Sequence, residues 1–286
     1  MSDRRTAGAG RVGPVGLLHR QIRYQDKIFW RTPISAFFTF VFPLIFLLLF
    51  NLLFEGETNT SPIGELPFSQ FFTPAIAAFA VVTACYTNNA IQVSITRDEG
   101  ILKRIRGTPL PPWIYMSGKI GSSVWLAFLA NTVMIAIGAL AYDVQVPARA
   151  VGPALVTLAV SAAAFCALGL AVTAIIPTGD AAPAVANATV LPVTFISGVF
   201  FPVDDAPTWI QRLGDVFPVK HAVDAMVAAF NPLPGGGRFE WDHLGVIAAW
   251  GVGGLLVALR FFRWEPKRRA GRAGRRRVRQ NAGAGA

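Results

Sequence analysis

Long apolar runs, almost free of charge, alternate along this chain with short segments that hold nearly all of its ionisable residues. Six such runs stand out, at approximately residues 33–54, 69–93, 116–142, 150–176, 181–201 and 243–261. A helix of about 20 apolar residues crosses the hydrocarbon core of a bilayer. The pattern therefore predicts an all-α membrane protein with six transmembrane helices in one domain, residues 17–263. The second run is longer than a bilayer needs, so its surplus projects into the water and leads into the charged loop that follows. The fourth and fifth are joined only by P-T-G-D around Asp180, which predicts a tight helical hairpin.

The flanks carry other periods. Residues 1–16 are rich in Gly, Ala and Arg, a composition that predicts a disordered basic tail, and the Arg-rich residues 264–286 predict a second one. Between residues 17 and 31, Leu18, Ile22 and Phe29 fall on one helical face, with Arg20, Arg23 and Lys27 largely elsewhere. This predicts an amphipathic interfacial helix on the inner membrane surface, with Trp30 at the headgroups. After the fifth run, Pro202, Pro207 and Pro218 punctuate two short amphipathic helices, near residues 208–216 and 219–230. Trp209, Ile210 and Leu213 give the first an apolar side, so the pair should dip into or lie along the outer leaflet as re-entrant helices.

Composition agrees with lipid as the main solvent. Of 286 residues, 53% are hydrophobic and 15% charged, against about 25% charged in soluble domains. The net charge of +10 is informative through its placement. Seven Lys and Arg precede residue 32, five lie between Arg97 and Lys119, and ten follow from Arg260, leaving Arg149, Arg212, Lys220 and Arg238 for the opposite side. By the positive-inside rule both termini and the central loop are cytoplasmic, which requires an even number of spans. The basic lead before the first run is too long for a signal n-region, so that run is expected to be a retained signal anchor. Cys85 and Cys166 each fall inside a span and are expected to be buried apolar residues rather than a disulfide or metal site. The C-terminal cations suit anionic lipid, with no motif for specific nucleic-acid binding.

The densest internal charge lies in Arg97 to Lys119, R-D-E-G-I-L-K-R-I-R-G-T-P-L-P-P-W-I-Y-M-S-G-K. Ile101, Leu102 and Ile105 form an apolar stripe at helical spacing, bordered by Lys103, Arg104 and Arg106, and Pro109, Pro111 and Pro112 end it. A short amphipathic helix with a rigid exit suits docking into a groove on another protein. This stretch resembles the first cytoplasmic loop of the ABC-2 type permeases, the membrane subunits of ATP-binding-cassette exporters, and most resembles the drug and antibiotic (daunorubicin-type) exporters among them. It departs from the usual family form in having Gly100 directly after Glu99 and Ile101 where Thr is common. The outer stretch S-G-V-F-F-P…P-T-W-I…F-P is similar to the same family.

The resemblance implies a coupling helix between spans two and three that contacts a separate ATPase subunit. Asp98, Glu99, Ile101, Leu102, Lys103, Arg104 and Arg106 would do so, their charges pairing with the ATPase surface and their apolar side chains filling its groove. The interfacial helix would help. It further implies two permease subunits, identical ones favoured over different ones, with two ATPase copies in a bacterial plasma membrane. ATP and magnesium would be used by that partner, and no cofactor would be bound by this chain. The substrate route would run between permeases along the second and fifth spans, where Thr83, Tyr86, Asn88, Asn89, Asn187, Thr189, Thr194 and Ser197 are the polar candidates. The same side chains would equally serve as hydrogen bonds between helices.

The chain lacks the G-x-x-x-x-G-K-[ST] phosphate loop, and its spans are expected to lack the buried Asp, Glu or Lys that ion-coupled carriers use. His221 and Asp224 fall in the outer segment and His243 opens the last run; the three histidines are read as scattered, in surface or interface roles. Energy must then arrive from outside the chain, and the cargo best suited to uncharged spans is a hydrophobic or amphipathic drug-like molecule taken from the inner leaflet. Export of polysaccharide or lipid-linked cargo is the nearest alternative. A membrane-embedded lipid-modifying enzyme or a scaffold are the alternatives from other classes.

Overall fold

The computed structural model describes residues 13–61, 64–108, 110–200 and 206–262. Within them the chain forms α1 (Pro14–Trp30), α2 (Pro33–Leu53), a hairpin of β1 (Thr58–Ser61) and β2 (Gly64–Pro67), and α3 (Phe68–Asp98). There follow α4 (Ile101–Arg106), α5 (Pro112–Ala141), α6 (Val151–Val172), α7 (Ala182–Ile196), α8 (Thr208–Val216), α9 (Pro218–Phe230) and α10 (Trp241–Phe261). The expected disordered tails lie outside the described residues, except that α1 begins at Pro14, where Pro suits a first helical turn.

Among the described residues, five helices are long and apolar enough to cross a membrane: α2, α3, α5, α6 and α10. This is a multi-span α-helical membrane protein. The fifth run yields only the 15 residues of α7, ended by Gly198 at φ 73°. At 1.5 Å per residue it is about 22 Å long, short of a hydrocarbon core of about 30 Å. The expectation of a purely helical chain is corrected by the antiparallel β1–β2 hairpin, in which Thr58 pairs with Pro67 and Ser61 with Gly64. Its segment T-N-T-S…G-E-L-P lies between two spans, where water rather than lipid satisfies the outer strand edges.

The bundle is built around α3, whose Phe72, Ile76, Phe79 and Cys85 are all fully or nearly fully buried. An aromatic row at every fourth position, Phe42, Phe46 and Phe50 on α2 and Phe54 just past its end, runs beside it. Phe50 stacks on Phe72 at 5.2 Å and Phe54 meets Phe68 at 4.8 Å. Where helices approach most closely, glycine makes room: a Cβ on Gly251 would stand 2.9 Å from Ala164, and one on Gly118 would overlap Gln21. The Gln21 contact, with Ile22 against Gly121, fastens α1 to α5, and Lys119 between those glycines is buried, which corrects the expectation that no span buries a lysine.

Gly169 in α6 is the most demanding of these contacts, because its added Cβ would meet backbone, the carbonyl oxygens of Tyr86 at 2.7 Å and Cys85 at 3.0 Å. Backbone cannot swing aside as a side chain can. Overpacking of this kind costs about 1–3 kcal/mol. Gly169→Ala is therefore expected to lower the melting temperature of the purified protein in detergent, and Gly169→Val to lower it further; unchanged melting of both would show that α6 sits farther from α3.

Candidate functional site

Two places gather the residues singled out above, the C-terminal end of α3 and the cleft bounded by α2, α3 and α7. At the first, α3 closes with Arg97 and Asp98, and Gly100 adopts a left-handed φ of 74°. Glycine takes that conformation without the Cβ clash other residues meet. The chain thereby turns sharply into α4, a helix of six residues.

On α4 the residues sort by direction. Glu99 just before it, and Ile101, Lys103 and Arg104 on it, are exposed. Leu102 is fully buried, packed with Val93, Tyr115, Leu170 and Ala258. The expectation that Leu102 fills a partner's groove is corrected accordingly. A helix pinned at Gly100 must turn one face onto the end of its own bundle, and Leu102 occupies that face. Asp98 reaches sideways, its carboxylate accepting the Gly179 N–H at 3.1 Å. The side chain of Arg106, like all of Pro109, lies outside the described residues.

The second place is a cavity of about 170 Å³ between the first half of α2, the second half of α3 and the start of α7. Ile34, Phe38, Phe42, Phe79, Ile91 and Leu191 supply the apolar wall, and Ser35, Thr39, Thr83, Thr87, Asn88 and Asn187 the polar one. No titratable residue lines it. Two π-helical turns, Phe37–Val41 in α2 and Thr83–Thr87 in α3, border this cavity. Such turns interrupt the regular ladder and are frequent at functional sites. The Thr87 hydroxyl and the Asn88 carbonyl oxygen are buried there without a hydrogen-bond partner. Buried polar atoms are normally satisfied, so each exception calls for an explanation.

The eight polar candidates thus divide. Thr83, Asn88 and Asn187 line this cavity. The Tyr86 hydroxyl instead meets that of Thr189 at 2.7 Å, joining α3 to α7. Asn89 is buried among helices, accepting from Ser123 at 2.9 Å and donating to the Cys166 sulfur at 3.3 Å. Thr194 and Ser197 are buried and return their hydroxyl protons to the carbonyls of Val190 and Val193 one turn back. Ser35, Thr39 and Thr87 were missed; a lone hydroxyl in an apolar run gives no sign of the side it faces. Cys85 and Cys166 are both free and buried.

Residues 17–231 match the family described as ABC-2 type transporter. The chain belongs to that family. Among curated relatives of this ABC-2 permease, the probable multidrug ABC transporter permease YbhR of Escherichia coli is 25% identical over 161 residues, 56% of this chain and 43% of the relative. The chain thus matches less than half of YbhR's length. The inner membrane transport permease YadH of E. coli is 24% identical, covering 71% of this chain and 82% of the relative. The daunorubicin resistance ABC transporter permease protein DrrB1 of Streptomyces coeruleorubidus is 26% identical, covering 68% and 67%.

Where α9 meets α10, the expectation of scattered histidines is overturned for His221 and His243. The His221 and His243 Nδ1 atoms face each other at 2.8 Å, and His221 Nε2 lies 2.8 Å from the Asp215 carbonyl oxygen. One tautomer pair satisfies both contacts: His221 donates from Nε2 to the carbonyl and accepts at Nδ1 from His243. Residues 22 apart in sequence meet because α9 folds back against α10. Lys220 bridges Asp215 at 2.9 Å and Asp224 at 3.1 Å. Burial pushes the Asp224 carboxyl above its ordinary range, against the pull of Lys220 and both imidazoles. Burial pulls the Lys220 ammonium down, but Asp224 and Asp215 outweigh it and hold the group above its usual value. Among the described residues no group of His, Cys, Asp and Glu could hold a metal ion. The cluster ties α8, α9 and α10 together, aided by the Trp250 indole donating to the Val216 carbonyl at 2.8 Å.

Proposed function

We propose that this ABC-2 permease is the membrane subunit of an ATP-driven exporter that moves a hydrophobic or amphipathic, drug-like molecule out of the inner leaflet. The observation that carries the cargo class is the cavity beside Thr87 and Asn88. It is mostly apolar, contains no charge, and two of its lining residues hold buried, unmatched polar atoms that a side-chain rotation would turn toward a ligand's hydroxyl or amide. Pockets of this kind bind by apolar contact and use a few polar groups to fix orientation. The multidrug and daunorubicin-resistance relatives point the same way.

In this reading ATP and magnesium are handled by two copies of a separate ATPase, and two copies of the permease enclose the route. α4 is the coupling helix. It is anchored by Leu102 and presents Glu99, Ile101, Lys103 and Arg104 to the ATPase, with α1 beside it. The topology has six crossings, since termini on one side demand an even number. α7 provides the fifth, and α8 and α9 form the re-entrant outer elements.

The test is ATP hydrolysis by the ATPase that co-purifies with the permease in lipid nanodiscs, measured against a panel of hydrophobic drugs that includes daunorubicin. Stable capture of an ATPase, with hydrolysis stimulated by at least one panel member, is the expected result. Capture without any stimulation by drugs, but with stimulation by a lipid-linked saccharide, would move the cargo to the polysaccharide class. Failure to capture any ATPase would remove the exporter reading altogether.

A further inference from the structure

The last two residues of α3 hold a segment that is distant in sequence. The Arg97 side chain is 2% exposed, and its guanidinium donates from Nη1 to the Thr173 carbonyl at 2.7 Å and from Nη2 to that of Ile176 at 2.8 Å. Asp98 accepts the Gly179 N–H at 3.1 Å. Three peptide groups of the turn between α6 and α7 are therefore bound by two adjacent side chains. The fit is close: a Cβ on Gly179 would lie 3.1 Å from the Ile95 Cα and 3.4 Å from the Asp98 Cβ. The terminal carbonyls of a helix lack intrahelical partners, and a cation is favoured beside them. Arginine, with donors fixed in a planar fork, spans two carbonyls at once where lysine would serve them singly.

This bracket connects two elements of the proposed mechanism. On one side, α4 starts three residues after Asp98, past the Gly100 turn. On the other, α7 starts at Ala182, and its Pro183, Asn187, Val190 and Leu191 wall the cavity. The geometry points to Arg97 and Asp98 as positioning residues that make α4 and the start of α7 move as one body, so that displacement of α4 reshapes the cavity wall. This rests on reading α4 as the ATPase contact. A short, buried, multiply bonded connection transmits displacement because it has little slack, whereas a flexible loop would absorb it.

The experiment uses the nanodisc complex with its ATPase and needs no cargo. Asn187→Cys is labelled with a maleimide before and after trapping with Mg-ATP and vanadate; the native cysteines are buried. With Arg97 intact, trapping is expected to change the labelling rate by about fivefold or more, and Arg97→Gln to reduce that change below about twofold while ATPase capture persists. Arg97→Lys should recover part of the change, and Asp98→Asn, which keeps an acceptor oxygen, should stay close to wild type. A full trapping response in Arg97→Gln would overturn the bracket. A second measurement leaves the bracket untouched: nitroxides at Thr108→Cys and Ala184→Cys, both exposed positions. Their separation should hold to about 1 Å on trapping, and a shift beyond about 3 Å would show that the two segments move independently and overturn the proposal even if Arg97→Gln fails to fold. If the unmutated complex captures no ATPase, the coupling reading itself falls, before any variant is compared, and the bracket falls with it.

Discussion

Reversing the exposed charges of α4 with Lys103→Glu and Arg104→Glu is expected to abolish co-purification of the ATPase while the permease itself stays folded. Both side chains are exposed, and the helix beneath them is held by Leu102, which the substitutions do not touch. Surface substitutions away from special features change stability by about 0.5 kcal/mol or less. At an interface, by contrast, like charges brought face to face cost several kcal/mol. Loss of about 3 kcal/mol is more than a hundredfold in Kd, enough to empty the complex at the concentrations of a pull-down. The measurement is ATPase capture beside the melting temperature of the permease alone. Wild-type capture by the double variant would show that α4 is not the docking surface. Leu102→Asp makes a poor substitute, since it places a carboxylate in an apolar cluster and the protein is expected to unfold rather than uncouple.

The second large effect is in the cavity. Thr87→Val combined with Asn88→Leu removes the two unmatched polar atoms and keeps the volume nearly constant. If those atoms exist to meet cargo, cargo-stimulated ATP hydrolysis should fall by more than about tenfold, corresponding to the loss of about one charge-free hydrogen bond at each atom. Basal hydrolysis and ATPase capture should persist. Stability should move the opposite way: an unsatisfied buried polar group costs about 1–3 kcal/mol, so the double variant should melt at the same temperature as wild type or higher. A variant that melts lower and keeps its stimulation would assign both residues to the fold instead.

The apolar runs announced most of the helices because lipid imposes length and composition on any segment that crosses it. Four of the six runs correspond to α2, α3, α5 and α10 with small differences at their ends, and a fifth to α6. The α7 run is where that logic gave out. Its composition is as apolar as the rest, yet the described helix stops at Ile196, because the left-handed turn at Gly198 is a backbone event that hydropathy does not register. The β1–β2 hairpin was illegible for a related reason, since T-N-T-S and G-E-L-P lack the alternation of a half-buried strand. In the candidate site, residue type alone nominated both Asn88 and Asn89. Neighbours in sequence, they diverge in space, one toward the cavity and one into a bond network with Ser123 and Cys166.

By itself, then, the sequence determined that the chain lives in a membrane and that its basic loop holds a short amphipathic helix. These follow from local composition and period, acting residue by residue against water or lipid. Tertiary structure alone decided that Leu102 faces inward, that His221 meets His243, that Thr87 and Asn88 line an empty space, and that Arg97 grips the turn before α7. Each of these depends on which distant backbone packs beside a residue, and packing is a property of the whole bundle that no local period encodes.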